Sequence, residues 1–421
     1  MQTKYSFAMF VLLSILLSSC SSSNRKTSEG KDSKTKAVFL PGTYGYDLDF
    51  LKAHQIGFIE LKESASKASL ILSPDLQGRV LTSSANGHEG KSFGWINYKL
   101  IESGVVSDQF NAYGGEERLW FGPEGGPFSI YFSKGKEQVF ANWVVPKEID
   151  TLPFDVVKQT PESVSFRKEF SLVNATGTIM DVAVERNIKL LNRAKTEQEL
   201  QLSLDTSLNY VAYESENILT NNGKIAWNEK TGFLSIWLLS MFNPSEKGVV
   251  FIPFRKGSET DLGKIVTDDY FGKVPADRLV VKDGVLFFKT DGKYRSKIGL
   301  SPQRSLPWCG SYDSKNQVLT LLWYSQPMQS AKYVNSRWGD QDDPLSGDAV
   351  NSYNDGPVAD GSVMGPFYEI ESSSPAAILA SGEQISHKQR IFHISGSEAQ
   401  LNKIMERIFN LTVTEIKQAF K

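Results

Sequence analysis

Short runs of β-branched and aromatic residues, cut by Gly, Asn, Asp and Pro, recur along most of this chain. Early examples are Ala68–Leu72 and Arg79–Ser83, and the pattern continues to Gln384–Ile394. Alternating apolar and polar residues between turn formers are typical of antiparallel strands. Many of the runs are long for strands, so the sequence predicts an all-β fold built of large antiparallel sheets.

One segment near the C-terminus departs from this pattern. Within Ser397–Phe420, Leu401, Ile404 and Ile408 recur at helical spacing after a Ser that can cap a helix. The sequence therefore predicts a short C-terminal helix docked on a sheet. No internal repeat or Pro-rich hinge divides residues 37–421, which we expect to form a single domain.

The N-terminus has the pattern of a bacterial lipoprotein signal. Met1–Lys4 carries one Lys, Tyr5–Leu17 is apolar but short for a membrane-spanning helix, and small residues precede Cys20. We predict a signal peptide over residues 1–19 and a diacylglycerol anchor on the sulfur of Cys20, which would attach the chain to a membrane. A secretory peptide that merely ends near a cysteine is the alternative.

The next segment, Ser21–Lys36, contains no aliphatic or aromatic residue and cannot bury enough surface to fold. Residues 20–36 are therefore predicted to be a lipidated cysteine followed by a flexible tether. Cys309 would be alone in the mature chain, which excludes an intrachain disulfide. Because Ser rather than Asp follows Cys20, we expect a location in the cell envelope, with the outer membrane preferred.

The charge of the chain is nearly balanced, with 46 Lys and Arg residues against 48 Asp and Glu residues. Nucleic acid is not an expected partner, because phosphate binding requires a concentrated basic face. Aromatic residues make up 11% of the chain, which suits a β-rich fold and also sugar binding.

The stretch Asn111–Phe132 combines charged residues with strand formers. It holds two Gly-Gly turns and five costly side chains, namely Glu116, Glu117, Arg118, Trp120 and Glu124. If residues 116–121 are extended, Glu116, Arg118 and Trp120 share one face. Trp120 can stack on a sugar ring and Arg118 can contact hydroxyls or a carboxylate, so we interpret the stretch as one wall of a binding cleft. An Arg–Glu ion pair holding a strand corner is the alternative.

Three stretches carry a resemblance to a known group of proteins. They are NAYGGEERLWFGPEGGPFSIYF (111–132), NSYNDGP (351–357) and FYEIESSSPAAILASGEQISHKQRIFHI (367–394). The chain resembles an uncharacterised family of bacterial lipoproteins that is related to the galactose mutarotase-like superfamily. The resemblance covers the folded chain and implies a β-supersandwich that binds sugar on a concave sheet face. The superfamily includes aldose 1-epimerases and accessory domains of glycoside hydrolases and lyases.

The resemblance also assigns roles to single positions. Aldose 1-epimerases carry a histidine before an early Gly-Gly turn, where this chain has Tyr113, and a second after Thr-Asn, where this chain has Asn222. Their catalytic base is a glutamate on a strand that precedes a polar pair and a proline. Glu369 and Glu371 both precede Pro375 in this way, so the base position is retained while both histidines are replaced.

Strand alternation places Glu369 and Glu371 on one face, about 7 Å apart at their backbones. Such a pair can divide general acid and general base roles by environment. The polar face of an exposed strand is the alternative. His387 shares a face with His393 and is a further candidate for the acid, although a lone strand histidine is more often structural.

Further candidate residues are predicted to contact the substrate rather than to transfer protons. The predicted substrate-binding residues are Asn111, Tyr113, Glu116, Arg118, Trp120, Glu124, Asn351, Asn354 and Asp355. The last three lie in the acidic, Gly/Pro-rich segment 335–361, which predicts an ordered loop over the cleft. Its acidic residues do not match the spacing of an EF-hand, and no phosphate-binding Gly loop is present, so neither a metal site nor a cofactor is predicted.

These observations together favour a carbohydrate as the ligand. The first hypothesis is a membrane-anchored enzyme that modifies a mono- or oligosaccharide by epimerase-like acid/base chemistry. The alternative, motivated by the two replaced histidines, is a non-catalytic glycan-binding lipoprotein of a polysaccharide-utilisation system.

Overall fold

The computed structural model describes residues 38–325, 329–358 and 360–421. The predicted signal peptide, Cys20 and the tether lie outside the described residues. Residues Phe39–Lys421 form one compact unit. None of the helices in the described ranges is long and apolar enough to cross a membrane.

Eighteen strands and six α-helices are found in the described part of the chain. The strands are β1 (Ile59–Lys62), β2 (Ser69–Ser73), β3 (Arg79–Ser84), β4 (Arg118–Gly122), β5 (Asp155–Gln159), β6 (Ser163–Val173), β7 (Ile179–Leu190), β8 (Asn209–Asn221), β9 (Ser235–Phe242), β10 (Gly248–Pro253), β11 (Leu279–Lys282), β12 (Val285–Lys289), β13 (Ser296–Leu300), β14 (Trp308–Asp313), β15 (Val318–Tyr324), β16 (Val350–Asn354), β17 (Tyr368–Ser373) and β18 (Gln384–Ser395). The helices are α1 (Tyr44–Ala53), α2 (Tyr98–Ser103), α3 (Arg193–Leu200), α4 (Glu259–Leu262), α5 (Glu398–Phe409) and α6 (Val413–Gln418).

The strands form three antiparallel sheets. A ten-stranded sheet has the order β11-β12-β10-β14-β15-β18-β8-β7-β6-β5, a five-stranded sheet has the order β13-β16-β17-β9-β4, and β1-β2-β3 form a third. The five-stranded sheet thus joins strands from four distant parts of the chain. The predicted all-β fold of large antiparallel sheets is confirmed.

The five-stranded sheet packs one face against the ten-stranded sheet. This inner face carries apolar side chains such as Leu119, Leu238 and Ile370, which join one buried cluster with Tyr213 and Leu322 of the larger sheet. Full burial of each aliphatic side chain contributes roughly 1.5–3 kcal/mol. Side chains alternate along a strand. The residues directly before and after each of these apolar residues therefore point to the other face of the five-stranded sheet.

The layer between the two sheets also contains a buried polar network. Arg186 Nη2 lies 2.7 Å from Glu117 Oε1, and both side chains are fully buried. Gln389 donates to Glu117 Oε2 (2.8 Å) and to Ser240 Oγ (2.9 Å), and it accepts a hydrogen bond from Ser372 Oγ (2.8 Å). Since buried charges are tolerated only when they are paired, this network connects β17 firmly to the larger sheet.

The predicted C-terminal helix is confirmed, but the segment forms two helices. The side chain of Ser397 caps α5 by accepting from Gln400 N, and Leu401 packs in the cluster on the outer face of the ten-stranded sheet. Asn410 takes a left-handed conformation (φ 49°), which ends α5 before α6 begins.

Part of the predicted loop 335–361 is a strand. Residues Val350–Asn354 form β16, which pairs with β13 on one side and β17 on the other. The expectation of a loop is wrong here because the polar residues of VNSYN have partners inside the sheet. Ser352 Oγ, for example, donates to the carbonyl of Glu369 (2.7 Å).

Candidate functional site

The outer face of the five-stranded sheet carries charged and aromatic side chains on five adjacent strands. We call this set the charged face; its members are Lys297 on β13, Asn351 and Tyr353 on β16, Glu369 and Glu371 on β17, Trp237 on β9, and Arg118 and Trp120 on β4. The strand registers place them side by side, although their sequence positions span 118–371. Glu369 and Glu371 lie on one face, as expected.

Glu371 is held by two donors. Its Oε2 accepts hydrogen bonds from Trp237 Nε1 (2.9 Å) and from Lys297 Nζ (2.8 Å). Burial alone would lower the pKa of Lys297, but the charge of Glu371 and this hydrogen bond outweigh burial and raise it. The other oxygen, Oε1, is buried without a hydrogen-bond partner among the described residues. Glu371 is therefore fixed in place with one oxygen left for another contact.

Glu369 has a different environment from Glu371. Its Oε1 lies 3.6 Å from Arg118 Nη2, which is too long for a hydrogen bond. Burial and then the charge of Glu371 raise the pKa of Glu369 to about 8, although Arg118 and Lys297 oppose the shift. At neutral pH Glu369 thus carries a proton, while Glu371 is held by Lys297 and Trp237.

Arg118 is buried under aromatic rings. Its guanidinium carbon lies 3.9 Å from the centre of the Trp120 ring and 5.6 Å from that of Phe110. Arg118 Nε and Nη1 and Trp120 Nε1 are buried with no hydrogen-bond partner in the described part of the chain. Each such group costs about 1–3 kcal/mol in an apolar setting. Unpaired donors and acceptors gathered on one face indicate a place where a polar ligand binds.

A third carboxylate approaches the pair from the turn after β4. Burial raises the pKa of Glu124 to about 6; Lys297 opposes this shift and the charge of Glu371 adds to it. The indoles of Trp338 and Trp143 also interact with the Glu124 carboxyl. These interactions stabilise its charged form and so oppose the rise in its pKa. Glu124 is only partly buried, so it lies between the charged face and the surface.

A second polar group borders Glu371 on the side of β16. Asn351 pairs with Glu371 across the strands, and its Nδ2 donates to the hydroxyl of Tyr270 (3.2 Å). That hydroxyl in turn donates to Asp348 Oδ2. Burial raises the pKa of Asp348 to about 6, although the Tyr270 hydrogen bond opposes the shift. Asn351 therefore lies at the site, with its amide nitrogen already engaged.

The sequence of this chain matches one family model over residues 42–420, and that model is described as a family of unknown function, DUF6786. The chain belongs to this family. No curated protein sequence matches it.

Solved structures with a similar fold have low sequence identity to this DUF6786 protein. The Slr1438 protein from Synechocystis sp. PCC 6803 is 13% identical, with a TM-score of 0.48 over 81% of this chain and 96% of that one. A galactose mutarotase-like protein from Lactobacillus casei ATCC 334 is 10% identical, with a TM-score of 0.46 over 80% and 100%. A galactose mutarotase related enzyme from Lactobacillus acidophilus is 10% identical, with a TM-score of 0.45 over 80% and 97%. At these values the likeness says nothing about chemistry, which has to be argued from the side chains of the DUF6786 chain.

Glu116 does not lie on the charged face. The expectation that it shares a face with Arg118 and Trp120 is wrong, because β4 begins only at Arg118 and the preceding Gly115 has φ 120°. The carboxylate of Glu116 points into the layer between the sheets, where its Oε1 lies 3.0 Å from His393 Nε2.

His387 also lies in the layer between the sheets. Its Nε2 is 2.8 Å from Ser372 Oγ, and Ser372 is on the opposite face of β17 from Glu371. Burial lowers the pKa of His387 to about 3, so the ring is neutral. The structure therefore does not bring His387 to the two carboxylates.

Four other predicted substrate-binding residues have mainly structural contacts. Asn111 Nδ2 donates to Asp150 Oδ2 (2.8 Å), and Asn354 Nδ2 donates to a backbone carbonyl. Tyr113 packs in the apolar cluster around α1, and Asp355 Oδ1 accepts from the hydroxyl of Tyr353 (2.9 Å). Asp355 is still close enough to the site for its charge to contribute to the raised pKa of Glu369.

Sequence reasoning missed Lys297, Trp237, Tyr270 and Asp348. Their place in the site follows from the order of the strands, which sequence alone does not give. The available signal was a lysine at the start of an otherwise apolar strand run, 297–300. No group of three or more His, Cys, Asp and Glu residues within the described ranges is arranged to hold a metal ion.

The raised pKa of Glu369 predicts a pH-dependent stability. In the unfolded chain its pKa returns to about 4.3. Between about pH 4 and about pH 8 the folded protein keeps a proton that the unfolded chain releases, so Glu369 makes stability fall as pH rises. We expect Glu369→Gln to raise the free energy of unfolding by on the order of 4 kcal/mol at pH 8 and to leave it nearly unchanged at pH 4.

Urea unfolding followed by tryptophan fluorescence at both pH values measures this difference. Glu229→Gln is the matched control, because Glu229 is exposed and pairs with the exposed Lys332. Equal effects of Glu369→Gln at the two pH values would show that the carboxyl is not protonated in the folded state.

Proposed function

We propose that the charged face binds a carbohydrate and that Glu369 and Glu371 transfer protons on it, as in the opening and closing of a hemiacetal ring. The observation that carries the proposal is the difference between two carboxyl groups on one strand. Glu369 is kept protonated by burial and by its neighbour, while Glu371 is bound by an ammonium and an indole. Pairs of titratable groups with diverging environments are typical of acid/base sites.

In this proposal each carboxyl makes one proton transfer. Glu371, whose Oε1 has no hydrogen-bond partner among the described residues, accepts the proton of the anomeric hydroxyl. Glu369 donates its proton to the ring oxygen as the bond between that oxygen and the anomeric carbon breaks. Rotation about the next carbon–carbon bond and the reverse transfers close the ring on its other face. No net proton, oxidant or cofactor is needed.

A carbohydrate fits the remaining groups of the site. Sugar hydroxyls both donate and accept hydrogen bonds, so they match the donors on Arg118 and the acceptors on Glu369 and Glu371 that have no partner in the described part of the chain. The apolar face of a sugar ring matches indoles such as Trp120 and Trp237. Lys297 Nζ, 2.8 Å from Glu371 Oε2, holds that carboxyl in position.

Polarimetry and NMR on anomerically pure aldoses test this function. We expect the wild-type protein to accelerate anomer exchange of at least one sugar, and Glu371→Gln and Glu369→Gln each to lower the rate by roughly 100-fold or more. Because Glu369 must be protonated to act as the acid, the wild-type rate should fall as pH rises through about 8, and Glu369→Gln should lack this fall.

Glu229→Gln again serves as the control and should keep the wild-type rate, since Glu229 is an exposed residue that pairs with Lys332. Rates equal to those of buffer for every sugar of a broad panel would overturn the catalytic proposal.

Glycan binding without catalysis is the second candidate function. It is favoured by the ion pair of Glu371 with Lys297 (2.8 Å), because the proposed base is already engaged by a cation. Calorimetry separates the two candidates: tight binding with unaltered anomer exchange supports a binding protein.

We further propose that the chain is anchored in the cell envelope through a lipid on Cys20, with the outer membrane as the preferred site. Its support is the short apolar segment and the small residues that precede Cys20. Expression of the full chain in bacteria with a labelled fatty acid should label the wild type but not Cys20→Ser. Cys309→Ser is the control, because Cys309 is buried in the fold and should not alter labelling. Equal labelling of wild type and Cys20→Ser would contradict the anchor.

A further inference from the structure

A row of aromatic rings leads from the charged face to the surface of the protein. The ring of Trp120 lies 5.7 Å from that of Trp237 and 6.3 Å from that of Trp143. Trp143 in turn lies 6.3 Å from Trp338 and 6.0 Å from Phe140. Exposure rises along the row, from 3% for Trp120 and 6% for Trp143 to 36% for Trp338 and 66% for Phe140.

The outer rings of this row have nearly parallel planes. The angle to Trp143 is 25° for Trp338 and 18° for Phe140. A large exposed aromatic ring costs free energy in water unless something covers it. Each of these two rings borders Trp143 with a similar orientation, and each step of about 6 Å is comparable to the size of a sugar ring.

Trp338 is positioned by several contacts. The next backbone N–H, that of Gly339, donates to Gln138 Oε1 (2.8 Å), which also accepts from the N–H of Gly126 (2.8 Å). The Trp338 ring packs edge-on against Phe132 at 5.1 Å. A ring that is held this well and is still one-third exposed is arranged for contact with a partner outside the protein.

Polar groups accompany the rings. The indoles of Trp143 and Trp338 interact with the carboxyl of Glu124, which can also accept a hydrogen bond from a ligand. Gln341 Oε1, on the same loop as Trp338, is buried with no hydrogen-bond partner among the described residues. Two acceptors beside an aromatic surface match the hydroxyls of a sugar rather than a lipid or an apolar peptide.

A carboxylate at the inner end of the row selects the kind of sugar. Glu124 lies where the row meets the face, close to both Trp143 and Trp338. A uronate bound on the row would be repelled there, whereas a neutral sugar would not.

We propose that the ligand is a neutral oligosaccharide, with its terminal sugar between Glu369 and Glu371 and the following units lying on Trp143, Trp338 and Phe140. This inference rests on the proposed carbohydrate function and goes beyond it, because it assigns the chain length, the charge and the direction of the ligand. The surface rings form binding subsites that the acid/base chemistry does not require.

Binding measurements over a series of chain lengths test the inference. The probes are glucose, galactose and xylose with their α- and β-linked di-, tri- and tetrasaccharides, titrated calorimetrically into the full-length protein. For the series that binds, we expect the Kd to fall at least tenfold from the monosaccharide to the trisaccharide. Trp338→Ala and Phe140→Ala should each raise the trisaccharide Kd by about three- to tenfold and leave the monosaccharide Kd unchanged.

Two controls accompany the series. Trp323→Ala removes a half-buried tryptophan on the outer face of the ten-stranded sheet and should leave every Kd unchanged. The matching triuronates should bind at least tenfold more weakly than the neutral trisaccharides. If Trp338→Ala does not fold, Phe140→Ala still tests the inference, because Phe140 is mostly exposed and its substitution should not affect folding.

The contrary outcomes separate the two proposals. A Kd that does not change with chain length, or equal losses for mono- and trisaccharide in the row variants, overturns the oligosaccharide inference while sugar binding stands. Preference for a uronate overturns the assigned charge. Failure of every neutral and acidic sugar to bind overturns the carbohydrate function itself and the inference with it.

Discussion

The contact among Lys297, Glu371 and Trp237 is the interaction on which the charged face depends. It joins β13, β17 and β9, which are distant in sequence, through two hydrogen bonds to one carboxylate oxygen. A buried ion pair adds little net stability, because desolvation consumes most of the attraction. An apolar trio would hold the sheet as well, so the stability of the fold does not explain these charges. They are explained if the free oxygen of Glu371 and the protonated neighbour Glu369 act on a ligand.

Precise placement of the two glutamates comes from the other side of the same strand. Ser372 alternates with Glu371 on β17 and donates to Gln389, which is bound to Glu117 in the buried layer between the sheets. Catalytic groups need such support, since small displacements cost large factors in rate. The molecule thus separates two tasks: the inner polar network fixes the strand, and the outer face is left with unpaired groups for the ligand.

Sequence periodicity predicted the sheets and the shared face of Glu369 and Glu371, because both follow from alternation along one strand. It failed where geometry depends on where a strand begins, as for Glu116, which precedes β4 and points inward. It failed for His387 because alternation gives two faces without saying which one meets the site. Lys297 was missed because its partner lies 74 residues away, across a sheet order that pattern alone cannot reveal.

The most direct test of the central claim is a crystal structure of the Glu371→Gln variant with a bound neutral trisaccharide. The variant removes the proposed base and keeps the shape of the side chain. We predict the terminal sugar within hydrogen-bond distance of Glu369, Gln at position 371 and Arg118, with a later unit on Trp338. A trisaccharide bound elsewhere on the protein, with the charged face unoccupied, would contradict the assignment of this face as the functional site.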